Sequence, residues 1–278
     1  MAPALELRQA ALAALCLQDP DEKVASALTL YKKSASFYIA EHVGAKTNAD
    51  SFGPEFPGRP LRPALIHPAQ VPRRSSASMA GRAALVHAIC HIEFNAINLA
   101  LDAVWRFDAM PCVFYLDWLR VAGEEARHFS LLRTHLQSLR HQDRPYDYGD
   151  FPAHDNLWVM CERTAGDVTA RMALVPRTLE ARGLDATPLI QARLRQAGTP
   201  DALRAVEILD VILRDEVGHV AIGNHWYRWL CAQGGLEPVA HYRELARRYR
   251  APQLHPPFNH AARRLAGFSD EELAELLR

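Results

Sequence analysis

The sequence predicts an all-α protein built around a four-helix bundle, and three observations support this. Four long stretches have helical periodicity: residues 75–107, 112–142, 156–182 and 201–231. The first two are joined by the short connection Asp108-Ala109-Met110-Pro111, which makes neighbouring helices antiparallel. The second and fourth stretches carry the same motif, Glu-x-x-His.

The segments before the bundle read as two helices and an extended strap. Residues 4–18 and 21–43 predict helices separated by Asp19-Pro20. Residues 53–74 contain six prolines within nineteen residues, which forbid a helix and predict an extended segment on the surface. Its arginines either tie it to carboxylates of the body or meet an anionic substrate or RNA: Arg59, Arg62, Arg73 and Arg74.

The segment after the bundle reads as a helical extension. Gly234-Gly235 ends the fourth helix, residues 238–249 predict another, and Ser269 with Glu272 forms a capping box that opens a last helix. We therefore divide the chain into residues 1–74 (N-terminal helices and Pro/Arg-rich strap), 75–233 (four-helix bundle) and 234–278 (C-terminal extension packed on the bundle).

Composition limits the function classes. The 278 residues are 49% hydrophobic and 23% charged, with 32 basic and 32 acidic side chains, so nucleic acid is not indicated as a partner. Five cysteines without a Cys-x-x-Cys motif argue against a zinc ribbon or rubredoxin-type site and suit a reducing compartment. The apolar stretch Ala10–Leu17 is flanked by charges, and no stretch approaches 18 uncharged apolar residues. We expect a cytoplasmic protein without a membrane partner.

The two Glu-x-x-His motifs are Glu125-Ala126-Arg127-His128 and Glu216-Val217-Gly218-His219. Residues three apart on a helix share a face, so each carboxylate and imidazole can reach one metal ion. A single motif of this kind is usually a solvated helix surface. Two motifs on separate helices, each preceded by a helix that offers another carboxylate, form the ligand pattern of a dinuclear iron or manganese site.

Glu93 is the candidate carboxylate of the first helix. It lies within an apolar run, where a buried carboxylate must be paired or bound to a metal. Glu93 and Glu125 lie at similar distances on either side of the 108–111 turn. At 1.5 Å per residue, they reach the same height in an antiparallel pair.

The partner of Glu216 is open between three residues, Glu162, Asp167 and Glu180. Glu180 precedes Glu216 by 36 residues, close to the 32 that separate Glu93 from Glu125. Gly183 is expected to break the third helix, and a short helix is expected around residues 188–196. The height argument for Glu180 therefore requires the chain to continue in a helix-like path through residues 184–197.

Several strings resemble the DUF455 family: Gly-Arg-Pro-Leu-Arg-Pro (58–63), His-Ile-Glu-Phe-Asn-Ala (91–96), Glu-Glu-Ala-Arg-His-Phe (124–129), Tyr-Gly-Asp-Phe-Pro (148–152) and Asp-Glu-Val-Gly-His (215–219). This resemblance implies a ferritin-like bundle of the di-iron carboxylate superfamily. Leu-Glu-Ala-Arg (179–182) is similar to the third-helix segment of the tRNA-modifying di-iron hydroxylases, which favours Glu180 as the third-helix ligand.

The predicted centre holds two iron ions, with manganese or a mixed pair as alternatives. His128 and His219 are expected as terminal ligands, Glu125 and Glu216 as bridges, and Glu93 and Glu180 as terminal carboxylates. The expected activity is dioxygen-dependent oxidation of a small molecule, with a separate electron donor. The alternatives are iron handling (ferroxidase or peroxide scavenging), a tRNA-modifying hydroxylase and a metal-free scaffold; a homodimer is left open.

Overall fold

A computed structural model describes residues 6–40, 56–72 and 74–276. It is mostly helical, which confirms the all-α prediction. Strands in this part of the chain are limited to a hairpin of β1 (Arg140–His141) and β2 (Arg144–Pro145). The chain divides into two compact units, Met1–Trp158 and Val159–Arg278. The predicted helix ends at residues 4–5 and 41–43, and Gly53, Pro54 and Arg73 of the predicted strap, lie outside the described residues.

The helices of the first unit are α1 (Leu7–Leu15), α2 (Pro20–Lys32), α3 (Met79–Arg106), α4 (Cys112–Ser138) and α5 (Asn156–Arg163), the last of which crosses into the second unit. Helix α2 ends at Lys32, well before residue 43, and the chain continues in a 3₁₀ turn, Ser34–Ser36. Helix α4 ends at Ser138 rather than Gln142, since Gln142 has φ 54° in the turn between β1 and β2.

Helices α3 and α4 form the antiparallel hairpin expected from their short connection. The Ser78 side chain caps α3 by accepting from Gly81 N at 3.1 Å, and the Tyr115 hydroxyl donates to Phe107 O at 2.8 Å across the turn. By length and composition α3 could cross a membrane, but 72% of its most apolar window is buried inside the protein. Core helices of soluble proteins have the same composition.

The extended segment is built into the first unit rather than laid over its surface. Gly58 N donates to Leu15 O at 3.0 Å, and a Cβ on Gly58 would lie 2.1 Å from Cys16 O, so only glycine fits. Arg59 pairs with Asp155 at 2.7 Å, which confirms the expectation that arginines of this segment reach carboxylates of the body.

A buried lysine fastens this segment to the helices. The Lys23 ammonium is fully buried and donates to Leu15 O at 3.0 Å, Gly58 O at 2.6 Å and Asn98 Oδ1 at 2.5 Å. Three acceptors match the three donors of an ammonium. Burial lowers the pKa of Lys23 to about 7.

Replacing Lys23 by methionine should destabilise the protein strongly. Lys23→Met leaves Gly58 O and Asn98 Oδ1 without this donor at about 1–3 kcal/mol each, whereas Leu15 O keeps its bond from Gly58 N. We therefore expect the free energy of unfolding to fall by at least about 2 kcal/mol. Lys32→Met, an exposed change on the same helix, should alter it by no more than about 0.5 kcal/mol. Urea denaturation measures both; equal effects would contradict the role of Lys23.

His87 joins α3 to the turn at residues 146–150. Its buried Nε2 accepts from Gly149 N at 2.9 Å, which requires the neutral imidazole. Burial lowers the pKa of His87 to about 4, although Asp150 and Asp147 act in the opposite direction.

The depressed pKa of His87 predicts acid sensitivity. Between pH 6.5 and about 4 the folded state binds fewer protons at His87 than the unfolded state, so stability is lost as the pH falls through this range. This single group contributes a slope of at most about 1.4 kcal/mol per pH unit. Denaturation at several pH values should show a shallower slope for His87→Gln and an unchanged slope for His255→Gln, which is exposed. An unchanged slope in His87→Gln would refute this.

The second unit contains α6 (Val168–Leu174), a π-helical segment (Val175–Glu180), α7 (Ala181–Ala197), α8 (Pro200–Gln233), α9 (Pro238–Arg248), α10 (His260–Leu265) and α11 (Asp270–Glu275). The capping box of Ser269 and Glu272 is confirmed at α11, and the predicted helix at 238–249 is α9. The N-cap of α8 is Thr199, so this helix begins within one residue of its predicted start at residue 201.

The third predicted helix, residues 156–182, is divided. Asp167 caps α6 after a break at residues 164–167. Pro176 has no N–H to continue the α-helical ladder, and the chain widens into a π-helical turn in which the Thr178 hydroxyl donates to Ala173 O at 2.8 Å.

The prediction that Gly183 ends this helix is wrong, because Gly183 lies inside α7. Its neighbours Ala181 and Leu184 are buried against Val220 and Phe268 in the core of the second unit. This burial outweighs the preference of glycine against helices, about 1 kcal/mol. The chain therefore keeps the helical path through residues 184–197 that the assignment of Glu180 requires.

Candidate metal centre

The α3–α4 hairpin brings three predicted ligands together within the first unit. Glu93, Glu125 and His128 are 3%, 0% and 0% exposed. His128 Nδ1 lies 3.2 Å from Glu125 Oε2 and 3.5 Å from Glu93 Oε2, and one ligand atom from each residue lies within 4.8 Å of the others. This confirms that Glu93 and Glu125 lie at the same height in the hairpin.

The electrostatics of this group favour a cation. Burial, followed by the charge of Glu125, raises the pKa of Glu93 to about 8, while His128 acts in the opposite direction. At neutral pH the Glu93 carboxyl is therefore protonated when no cation is bound. A metal ion that displaces this proton would relieve both the repulsion and the desolvation.

An aromatic cluster lies on the same turns of α3 and α4 as these ligands. Phe94 and Phe129 follow Glu93 and His128 directly, and both pack on Tyr148 with ring centroids 5.4 Å and 5.1 Å apart. These rings form an apolar layer beside the ligand-bearing turns of α3 and α4. The sequence placed Tyr148 in a turn and gave no signal that its ring packs on α3.

His91 belongs to a different hydrogen-bond network, as its spacing from Glu93 predicts. Its Nδ1 lies 2.9 Å from the Tyr148 hydroxyl, and its Nε2 lies 3.0 Å from Asn95 Nδ2. Both ring nitrogens therefore have protein partners, and His91 is not a candidate ligand.

In the second unit, the glutamate and the histidine of the other motif lie close together on α8. His219 is fully buried, Glu216 is 9% exposed, and His219 Nδ1 lies 3.5 Å from Glu216 Oε1. As with His128, Nδ1 is the ring nitrogen that faces the carboxylate. A second imidazole–carboxylate pair is thus buried on one face of a helix.

Glu180 lies on the π-helical segment, which packs against α8. The two elements approach closely at Gly223, where a Cβ would lie 2.5 Å from Pro176 Cβ. Helices α7 and α8 are joined by a two-residue connection and so run antiparallel. Glu180 is four residues after Pro176 and His219 four residues before Gly223, which places Glu180 and His219 at similar heights.

The other two candidates have different roles. Glu162 is exposed on α5. The Asp167 side chain accepts from Ala170 N at 2.9 Å as the cap of α6 and from the Tyr249 hydroxyl at 3.1 Å. The 9% exposure of Glu180 and its position opposite α8 favour it as the carboxylate of the second unit.

The donor sets suit a hard or borderline metal ion. Carboxylate oxygens with one imidazole are typical ligands of iron and manganese, whereas thiolates would favour softer ions. The buried cluster of Glu93, Glu125 and His128 can therefore hold a metal ion.

Neutralising Glu93 should separate stability from metal binding. Glu93→Gln removes the cost of protonating this buried carboxyl at neutral pH, so we expect the metal-free protein to gain about 1–3 kcal/mol in free energy of unfolding. The rise in melting temperature on adding Mn²⁺ should be lost, because one ligand is missing. Thermal denaturation with and without Mn²⁺ measures both effects.

Glu124→Gln is the matched control, since Glu124 is half-buried beside Glu125 on a different face of α4. It should keep the Mn²⁺-dependent rise. A Glu93→Gln protein that loses stability and keeps the full Mn²⁺ response would show that the cluster is not a metal site.

Comparison with known proteins identifies relatives. A family described as "Protein of unknown function (DUF455)" matches residues 16–274. An "Uncharacterized protein" of Haemophilus influenzae (strain ATCC 51907 / DSM 11121 / KW20 / Rd) is 51% identical over 221 residues, covering 77% of this chain and 74% of the relative. No solved structure matches the chain.

Proposed function

Since the chain belongs to the DUF455 family, whose description names no activity, we propose a function from its side chains: a ferritin-like di-iron enzyme that uses dioxygen to oxidise a small organic substrate. The observation that carries this proposal is the buried group of Glu93, Glu125 and His128, in which two carboxylates and an imidazole lie together inside an apolar helix hairpin.

The chain repeats this ligand set. A carboxylate on one element followed by Glu-x-x-His on the next occurs as Glu93 with Glu125 and His128, and again as Glu180 with Glu216 and His219. Four carboxylates and two imidazoles are the donor set of dinuclear carboxylate sites in four-helix bundles. In our proposal each set would hold one iron ion through its histidine and carboxylates.

The roles follow from the number of donors. Glu125 and Glu216 each lie one helical turn from a histidine, and together with Glu93 and Glu180 they would supply the carboxylates that hold the ions. Few protein ligands per ion leave positions open for dioxygen and substrate. Bound ferrous ions would supply electrons to dioxygen.

The protein groups position and shield this chemistry. Phe94, Phe129 and Tyr148 pack on one another on the ligand-bearing turns, and in our proposal they would limit the access of water there. In a hydroxylation, one oxygen atom enters the substrate and the other leaves as water, which requires two electrons and two protons from outside. The chain has no Cys-x-x-Cys motif that would indicate its own electron-transfer site, so a separate electron donor is part of the proposal.

The alternative functions predict different results for the same purified protein. Iron handling predicts ferrous oxidation with a cage or mineral core on sizing, and a scaffold predicts no stoichiometric metal. Chain length favours an enzyme over simple iron handling, because the segments before residue 75 and after residue 233 exceed what a minimal bundle needs.

We expect the protein purified without chelator to bind two iron ions per chain and the ferrous form to consume dioxygen. Glu180→Gln should reduce the iron content to one ion per chain or fewer and lower dioxygen consumption at least about tenfold, as expected for loss of a metal ligand. Glu162→Gln makes the same change at an exposed site and should match the wild type. Elemental analysis and an oxygen electrode provide the measurements.

Substoichiometric iron together with unchanged stability in Glu125→Ala would favour the scaffold and contradict the proposal. If iron binds, comparing small metabolites and modified nucleosides between knockout and parent cells separates the substrate classes. Loss of one hydroxylated nucleoside would identify an RNA substrate, and an unchanged nucleoside profile would rule out a tRNA-modifying hydroxylase.

A further inference from the structure

The second unit contains a cavity apart from the proposed metal ligands. Its volume is about 810 Å³, within the range of sites that bind small organic molecules. Helix α9 forms one wall, and residues 250–254 after this helix form another. Arg177 of the π-helical segment and Phe268 close the inner end, where they contact each other with the guanidinium carbon 4.7 Å from the ring centroid.

Five arginines line this cavity, and three of them are neutralised. These three form ion pairs with carboxylates of the same unit: Arg177 with Glu272 at 2.7 Å, Arg243 with Glu275 at 2.6 Å, and Arg263 with Asp185 at 2.6 Å. For the remaining two, Arg247 and Arg250, no ion pair with a described carboxylate is present. Glu272 is shared between Arg177 and Arg228, which it meets at 2.7 Å and 2.6 Å. The lining therefore has a net positive charge, to which Arg247 and Arg250 contribute without a described carboxylate partner.

The backbone at Arg250 supports a role for its side chain. Arg250 follows the end of α9 with φ 52°, and two hydrogen bonds close the turn: Arg250 N to Arg247 O at 3.2 Å and Ala251 N to Ala246 O at 2.8 Å. Helices that end in this way usually have glycine at this position, because other residues are strained there. Arginine is thus present where glycine would stabilise the turn.

Apart from Gln253 and the ion-paired Glu272 and Glu275, the rest of the lining is apolar. Tyr242, Pro252 and Leu254 present an aromatic ring and aliphatic groups to the same space as Arg247 and Arg250. The Tyr242 hydroxyl is held by Thr178 Oγ1 at 2.9 Å, which fixes one end of this side chain. A ligand that fits must combine negative charge with an apolar body.

We propose that this cavity binds a small phosphate monoester with an aromatic or aliphatic body. A phosphate monoester carries about −1.5 to −2 charges at neutral pH, which matches the two unpaired arginines, and guanidinium groups bind phosphate oxygens in pairs. A carboxylate would neutralise only one of them. This site does not depend on a metal, so it can be tested independently of the proposed di-iron function.

The test is calorimetric titration of the full chain with phenyl phosphate at low salt. We expect one site per chain, with an affinity about tenfold higher than for inorganic phosphate, because the ring is buried against apolar side chains. Benzoate should bind more weakly than phenyl phosphate. Equal affinity for benzoate, or no binding of phenyl phosphate, would overturn the proposal.

Single arginine substitutions test whether phenyl phosphate binds in this cavity. Arg247→Gln and Arg250→Gln should each weaken phenyl phosphate binding about tenfold through loss of a charge-assisted hydrogen bond. Arg248→Gln removes the same charge from the same helix, but Arg248 does not line the cavity, so its affinity should stay that of the wild type. Equal weakening in all three would indicate nonspecific attraction and contradict the site.

Arg250→Gly separates binding from folding. Glycine relieves the strain at φ 52°, so we expect the melting temperature to rise by about 2 °C while phenyl phosphate binding weakens at least as much as in Arg250→Gln. A glycine variant that keeps the wild-type affinity would exclude Arg250 from the site.

Discussion

The structure depends on a constraint set by burial: two carboxylates, Glu93 and Glu125, lie close together inside an apolar helix hairpin. Without a cation, one of them must remain protonated at neutral pH, so the hairpin carries an electrostatic cost that its hydrophobic packing offsets. A metal ion bound by both carboxylates and the adjacent His128 nitrogen would remove this cost. Folding alone brings these three side chains together, so folding supplies the free energy that their close approach requires.

A comparison with Lys23 shows why the carboxylates indicate a ligand. Lys23 is also a buried charged group, but three oxygen atoms of the protein accept its hydrogen bonds, so its role is complete within the folded chain. Glu93 instead has a second carboxylate as its neighbour. Lys23 is thus a structural group with its three acceptors, whereas two adjacent buried carboxylates favour either a bound proton or a bound cation.

In the second unit, one irregular segment supports two separate proposals. The π-helical turn at Val175–Glu180 ends with Glu180, the proposed ligand opposite His219, and contains Arg177, which forms the inner end of the charged cavity. Arg177 is held by Glu272 and Asn224 and packs against Phe268. Pro176 causes the irregularity because it cannot donate to the helical ladder, and the wider turn presents these side chains to different surroundings. Such turns are often found at functional sites.

The sequence by itself determined the helical class, the antiparallel α3–α4 pair, the grouping of Glu93, Glu125 and His128 and the pairing of Glu216 with His219. These depend on local periodicity, spacing and a short connection, which one stretch of chain specifies. The tertiary structure decided that Gly183 lies within a helix, that Glu162 is exposed while Glu180 is buried, that Lys23 holds the extended segment, and that arginines from three elements line one cavity. Each of these results from packing between residues distant in the chain. The free energy gained by this burial exceeds the local conformational preferences that can be read from the sequence.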